Sequence, residues 1–221
     1  MRKLRLHTRY WTETPSNCRK LCLFIAYFVT SVFPTMTFSQ DLNDVLREGT
    51  FADFRAVLNN DQWTEQSLSG ALIAAAGLNL PAQALLLLEA GADPNYSIVW
   101  QNSVTVAANE NSVGAMAVIL DHGGDINFRS MFSWTPLHHA IQSDGSSYQA
   151  IELLISRGAD IEARTTLGIT PLHRAAGFCD IRTARLLVSA GADTMALEKY
   201  DRNAYQRAAD AGCGEEMLFL R

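Results

Sequence analysis

The sequence is most informative first in what it lacks. It contains no Gly-rich phosphate loop, no HExxH and no GxSxG, so the usual catalytic constellations have no residues to stand on. It has no uncharged apolar run near the ~20 residues that a membrane helix needs. Basic residues are scarce where it matters. Residues 1–39 hold six Lys/Arg (Arg2, Lys3, Arg5, Arg9, Arg19, Lys20) and one acid, Glu13, leaving 12 Lys/Arg against 22 Asp/Glu over 40–221, a net charge of −10. An acidic body repels nucleic acid and anionic lipid, so neither is expected as a partner. Cysteine is sparse, with four in 221 residues. The length and the 48% hydrophobic content suit one compact domain.

The N-terminus is set apart. Residues 21–33, LCLFIAYFVTSVF, are uncharged and follow Arg19-Lys20. That is the length of the apolar core of a secretory signal. Pro34 ends it, and Thr37 and Ser39 supply small residues at −3 and −1 of a cut after Ser39. Residues 1–39 are therefore expected to be a signal peptide, with an uncleaved inner-membrane anchor as the alternative. Either places residues 40–221 in the periplasm or outside the cell.

The body is periodic. GAD recurs at Gly91–Asp93, Gly158–Asp160 and Gly191–Asp193, with GGD at Gly123–Asp125. TPLH occurs at Thr135–His138 and Thr170–His173, 35 residues apart. Degenerate counterparts fall in phase at Gly70, Asn102 and Asn203, and apolar stripes at helical spacing lie between the markers. Thr135 and Thr170 suit helix N-caps, and Pro136 and Pro171 suit the first helical position, where the missing N–H costs nothing. Gly91, Gly158 and Gly191 suit a left-handed helix end. Each unit reads as helix–turn–helix plus an extended loop, unable to bury its apolar faces alone and able to do so when stacked.

With TPLHRAAGFCDIRTARLLVSAGAD at Thr170–Asp193, the chain resembles the ankyrin-repeat family. The resemblance implies an all-α solenoid of stacked helix–turn–helix units with hairpin-like loops over 40–221. Repeats start near 70, 102, 135 and 170. Leu42–Asn59 would be an N-terminal cap turning at Gly49, and Asn203–Leu220 a C-terminal cap with a short second helix carrying Glu215 and Glu216. The unit from Thr135 has two extra residues in SDGSSYQ, read as a longer inter-helix turn. The resemblance also implies that His138 and His173 bond backbone between units rather than bind metal. His139 is expected to be exposed, and Asp93, Asp125, Asp160 and Asp193 to be folding devices. No metal, cofactor or catalytic residue is expected.

Cys18 and Cys22 precede the predicted cut, leaving Cys179 and Cys213 in turns of adjacent units. Stacked units lie about 10 Å apart, whereas a disulfide needs Cα atoms within about 7 Å. A disulfide and two free thiols both remain open on this ground.

The loops Tyr96–Gln101, Phe128–Trp134, Ala163–Ile169 and Ala196–Arg202 are rich in aromatics. Tyr96 and Phe128 are expected to pack inward. Trp100, Phe132, Trp134 and Tyr200, with Arg129, Arg164 and Arg202 among them, are the candidate contacts to a partner, since Tyr, Trp and Arg dominate interface hot spots. The expected function is a monomeric, non-catalytic, exported bacterial module that binds another protein in the periplasm or cell envelope through its concave loop and inner-helix face. Narrower alternatives are an immunity or accessory factor for an envelope enzyme or toxin, and a secreted effector that binds a host protein.

Overall fold

The computed structural model describes residues 37–59, 63–142 and 147–221, with the side chains of 37–41 left out. The proposed signal segment lies outside the described residues except for 37–39. So does most of the SDGSSYQ insertion.

The chain opens with a helix pair, α1 (Thr37–Glu48) and α2 (Phe51–Leu58), turning at Gly49. Thr50 caps α2 through a reciprocal box with Asp53: its N–H donates to Asp53 Oδ2 at 2.9 Å, and Asp53 N–H donates to Thr50 Oγ1 at 3.2 Å. Leu42, Leu46 and Phe54 are buried beneath the pair.

Four two-helix units follow. They are α3 (Glu65–Gly77) with α4 (Pro81–Glu89), α5 (Ser103–Asn109) with α6 (Val113–Asp121), α7 (Pro136–Ala140) with α8 (Tyr148–Ser156), and α9 (Pro171–Gly177) with α10 (Ile181–Ser189). The last helix, α11 (Ala204–Ala211), leads to a turn and a short 3-10 helix at Leu218–Leu220. In each unit the first helix packs against the first helix of the next, as α3 does on α5 and α9 on α11.

The first unit and the C-terminal cap are built differently from the units between them. The unit expected to start near Gly70 already begins its helix at Glu65, capped by Thr64, whose Oγ1 accepts from Ser67 N–H. Thr64 supplies the cap upstream, and Ser69, just before Gly70, instead donates its hydroxyl to the Glu65 carbonyl at 2.7 Å within the same helix. The C-terminal cap has no second α-helix, because Gly212 and Gly214 interrupt the chain and Gly212 turns left-handed at φ +91°.

One apolar core runs from Leu42 to Leu220. Alanines set its spacing: Ala75, Ala76, Ala107, Ala108, Ala175 and Ala176 are fully buried between first helices. Gly91, Gly123, Gly158 and Gly191 end the second helices with φ between +84° and +99°. A Cβ at any of them would touch nothing within 4 Å, so glycine is required there by backbone conformation and not by space.

Candidate functional site

The TPLH motif is consumed inside the scaffold. Thr170 N–H points at His173 Nδ1 (3.4 Å), and His173 N–H donates to Thr170 Oγ1 (3.4 Å), which makes a capping box with histidine in the place usually taken by Glu. Thr135 and His138 repeat the arrangement. The other ring nitrogen crosses to the next unit: His138 Nε2 lies 3.0 Å from the Ile169 carbonyl, and His173 Nε2 lies 3.0 Å from that of Arg202. One ring nitrogen thus accepts while the other donates, which requires neutral imidazole. Burial enforces that state. It pushes His138 down to about 4, with nearby Arg174 and Arg129 adding to the effect, and it lowers His173 as well.

His139 corrects the expectation of exposure. Its Nε2 lies 2.7 Å from Ser130 Oγ, and Trp134 packs against its ring with centroids 5.2 Å apart. The neighbouring loop folds back over this face of α7, and burial holds His139 neutral down to about 3.

The periodic aspartates build turns. Asp93, Asp125, Asp160 and Asp193 each accept, through Oδ1, the backbone N–H two residues on, at 2.8–3.0 Å. That second residue links the units. Asn95 Oδ1 accepts from Asp125 N–H, Asn127 Oδ1 from Asp160 N–H, and Glu162 Oε1 from Asp193 N–H. Sequence reasoning passed over Asn95, Asn127 and Glu162, although their fixed offset after the aspartate was a usable signal.

The loops divide the partner candidates in two. Trp100, Phe132 and Tyr200 stand at hairpin tips with 63%, 65% and 57% of their surface exposed. Successive tips are joined by backbone: Thr166 N–H donates to Phe132 O and Lys199 N–H to Leu167 O, both at 2.9 Å. The first hairpin, β1 (Ser97–Ile98) and β2 (Gln101–Asn102), turns on Val99 and Trp100 at φ +50° and +65°. Such a turn favours Asn-Gly, so a β-branched valine there is strained. Phe132 and Ser133, both at φ +60°, are strained in the same way. Backbone strain concentrates where residues are presented for function.

Trp134 belongs with the scaffold instead. It is half-buried, and the Arg174 guanidinium from the next unit sits 4.1 Å from its ring centroid. The three arginines are likewise engaged within the chain. Arg129 Nη1 donates to Arg164 O (3.1 Å) and Arg164 Nη1 to Leu197 O (2.8 Å). Arg202 bridges Glu198 (2.7 Å) and Asp210 (3.0 Å). Arg129 and Arg164 remain exposed beyond those bonds, whereas the head of Arg202 is neutralised. Tyr96 and Phe128 are half-buried, and the Tyr96 hydroxyl accepts from Gln66 Nε2 at 2.9 Å.

Cys179 and Cys213 are joined in a disulfide, with Cα atoms 5.9 Å apart. The approach is closer than helix spacing because both cysteines sit in turns, Cys179 itself being left-handed at φ +57°. Among the described residues no group of three or more His, Cys, Asp or Glu could hold a metal ion, and no helix is long and apolar enough to cross a membrane.

The geometry defines a class, a solenoid of helix–turn–helix units whose motif residues hold the units together. A family model for ankyrin repeats (3 copies) matches residues 71–165, and one for ankyrin repeats (many copies) matches residues 143–188. Together they span more than half of the 221 residues, and the chain belongs to the ankyrin-repeat family. Ankyrin repeats are protein–protein interaction modules. No curated protein matches the sequence.

Proposed function

We propose that this protein is an exported, non-catalytic binding module of the bacterial cell envelope, monomeric, which grips a partner protein with the tips of its hairpin loops. The carrying observation is the division of the loop residues. The motif histidines, threonines and aspartates are used up in joining units, while Trp100, Phe132 and Tyr200 are held outward and half or more exposed. Trp100 and Phe132 stand on strained turns, and Tyr200, whose ring lies 5.6 Å from the Arg202 guanidinium, still leaves most of its surface in solvent. Exposed Arg129 and Arg164 beside them favour a partner surface that carries carboxylates. The periplasmic location rests on the expected signal at residues 1–39, and the Cys179–Cys213 bond suits an oxidising compartment.

The test uses the full chain, expressed in a Gram-negative host and recovered from the periplasm. N-terminal sequencing is expected to begin at Gln40, and recovery with Met1 intact in the membrane fraction points to the anchor instead. Pull-down from periplasmic extract compares wild type with Trp100→Ala/Phe132→Ala/Tyr200→Ala. A protein held by the first and released by the second supports the tip face. Equal retention by both would remove it.

A further inference from the structure

The joints between units use two recurrent positions, and the last joint fills them differently. The left-handed turn after a first helix is occupied by Asn79 (φ +52°), Asn111 (φ +54°) and Cys179 (φ +57°). In the first two joints that side chain crosses to the next unit. Asn79 Oδ1 accepts from Ala115 N–H at 3.1 Å, and Asn111 Oδ1 accepts from Ala150 N–H at 3.0 Å. Both acceptors sit over first-turn amides of a second helix, α6 or α8. The facing position, just before that second helix, is Ser112 or Ser147, and at the last joint it is Cys213. Ser112 Oγ lies 3.5 Å from the Gly77 carbonyl, and Cys213 Sγ lies 3.8 Å from that of Ala176. The Asn/Ser pair of the first two joints is replaced at the last joint by a Cys/Cys pair, and it is bonded.

The substitution has a physical reason. After α11 no second α-helix follows, so there are no α-helix-start amides for an asparagine at 179 to cap. The cap is one eight-residue helix and a 3-10 turn, too short to hold itself. End units of a solenoid have a neighbour on one side only and open most readily.

We propose that the Cys179–Cys213 disulfide is a redox-sensitive clamp that stands in for the missing second helix, so that the C-terminal cap stays docked when the pair is oxidised and frays when it is reduced. Access favours one sulfur. Cys179 is half-exposed and Cys213 is buried at 7%. A dithiol donor, protein or small molecule, attacks Cys179 Sγ as the thiolate and expels Cys213 thiolate, which takes a proton. The donor's second thiol then resolves the mixed disulfide, forming the donor's own disulfide and releasing Cys179 thiolate, which is protonated in turn. Two electrons and two protons pass to the pair. Fraying withdraws Met217 and Leu220 from the core and breaks the Arg202 carbonyl's bond to His173. It also loosens the loop that presents Tyr200, a consequence for binding that rests on the function proposed above.

The experiment is hydrogen exchange read by mass spectrometry on the full chain, oxidised and after reduction with dithiothreitol. Amides in 196–220 are expected to exchange at least about tenfold faster on reduction, with those in 65–121 unchanged. Unchanged exchange in 196–220 would overturn the proposal, and so would equal acceleration along the whole solenoid, which would make the bond a global staple. A second variant, Cys179→Asn/Cys213→Ser, installs the pair of the first two joints and leaves no cysteine in residues 40–221. It is expected to show no response of 196–220 to dithiothreitol, and a retained response would also overturn the clamp. None of these readouts depends on a partner.

Discussion

The seam between units and the row of loop tips are built from the same repeats and behave oppositely. At the seam, position by position, residues recur and are buried: His138 and His173, Leu137 and Leu172, Thr135 and Thr170 are all within 1% of full burial. At the tips, the equivalent places hold Trp100, Phe132, Leu167 and Tyr200, all large and different from one another. Repetition marks what the stack demands of every unit. Departure from it marks what the stack leaves free, and that freedom is where recognition of a particular partner can be written.

The sharpest way to break this contrast is at Leu172, which is 1% exposed. Leu172→Ala is expected to cost on the order of 2–5 kcal/mol in denaturant unfolding. A cost below about 0.5 kcal/mol would mean that the seam is not the core it is taken to be.

A smaller effect should follow from pH. His138 is held neutral down to about 4 and His139 to about 3, whereas both titrate near 6.5 in the unfolded chain. Their folded values are depressed, so between those limits the unfolded state binds protons that the folded state does not. Stability is then full above about 6.5 and falls with pH through 6.5 toward 4, by on the order of 1–3 kcal/mol for His138. Unfolding curves at pH 7, 5.5 and 4.5 check the slope. His138→Gln, which cannot titrate, should lessen the slope while His139 still contributes, and an equal slope in that variant would assign the acid sensitivity elsewhere.

The smallest expected effect compares two tryptophans of neighbouring loops. Trp134→Ala removes the stack on Arg174 and His139 and should cost about 1–2 kcal/mol. Trp100→Ala, at 63% exposure, should change stability by less than about 0.5 kcal/mol. Matching losses in a thermal melt would erase the line between scaffold and tip.

Much of this was legible in the chain. The 32–35 residue spacing of GAD, and the Thr-Pro pairs in phase with it, located α7, α9 and the helix ends, since caps and left-handed glycines are local chemistry. Leu42–Asn59 was read as a helix pair turning at Gly49, and helices stand there at Thr37–Glu48 and Phe51–Leu58. His139 was misjudged because helical spacing gives a direction from the axis but not what a neighbouring loop lays over it. Trp134 was grouped with Trp100 because both are loop tryptophans, and only the position of Arg174, forty residues on, separates them. The first helix of the unit read near 70 begins upstream at Glu65 because Thr64 caps it there.

The sequence by itself determined the repeat, the starts of α7 and α9, the glycines that end the second helices left-handed and the absence of familiar catalytic motifs, all of which depend on neighbours within a few residues. Only the tertiary structure decided which aromatics stay in solvent, which arginines are spent on backbone carbonyls, and that Cys179 meets Cys213. Those depend on how one unit seats on the next, and a shift of one residue in a turn moves a side chain by several ångströms, enough to join two sulfurs or to keep them apart.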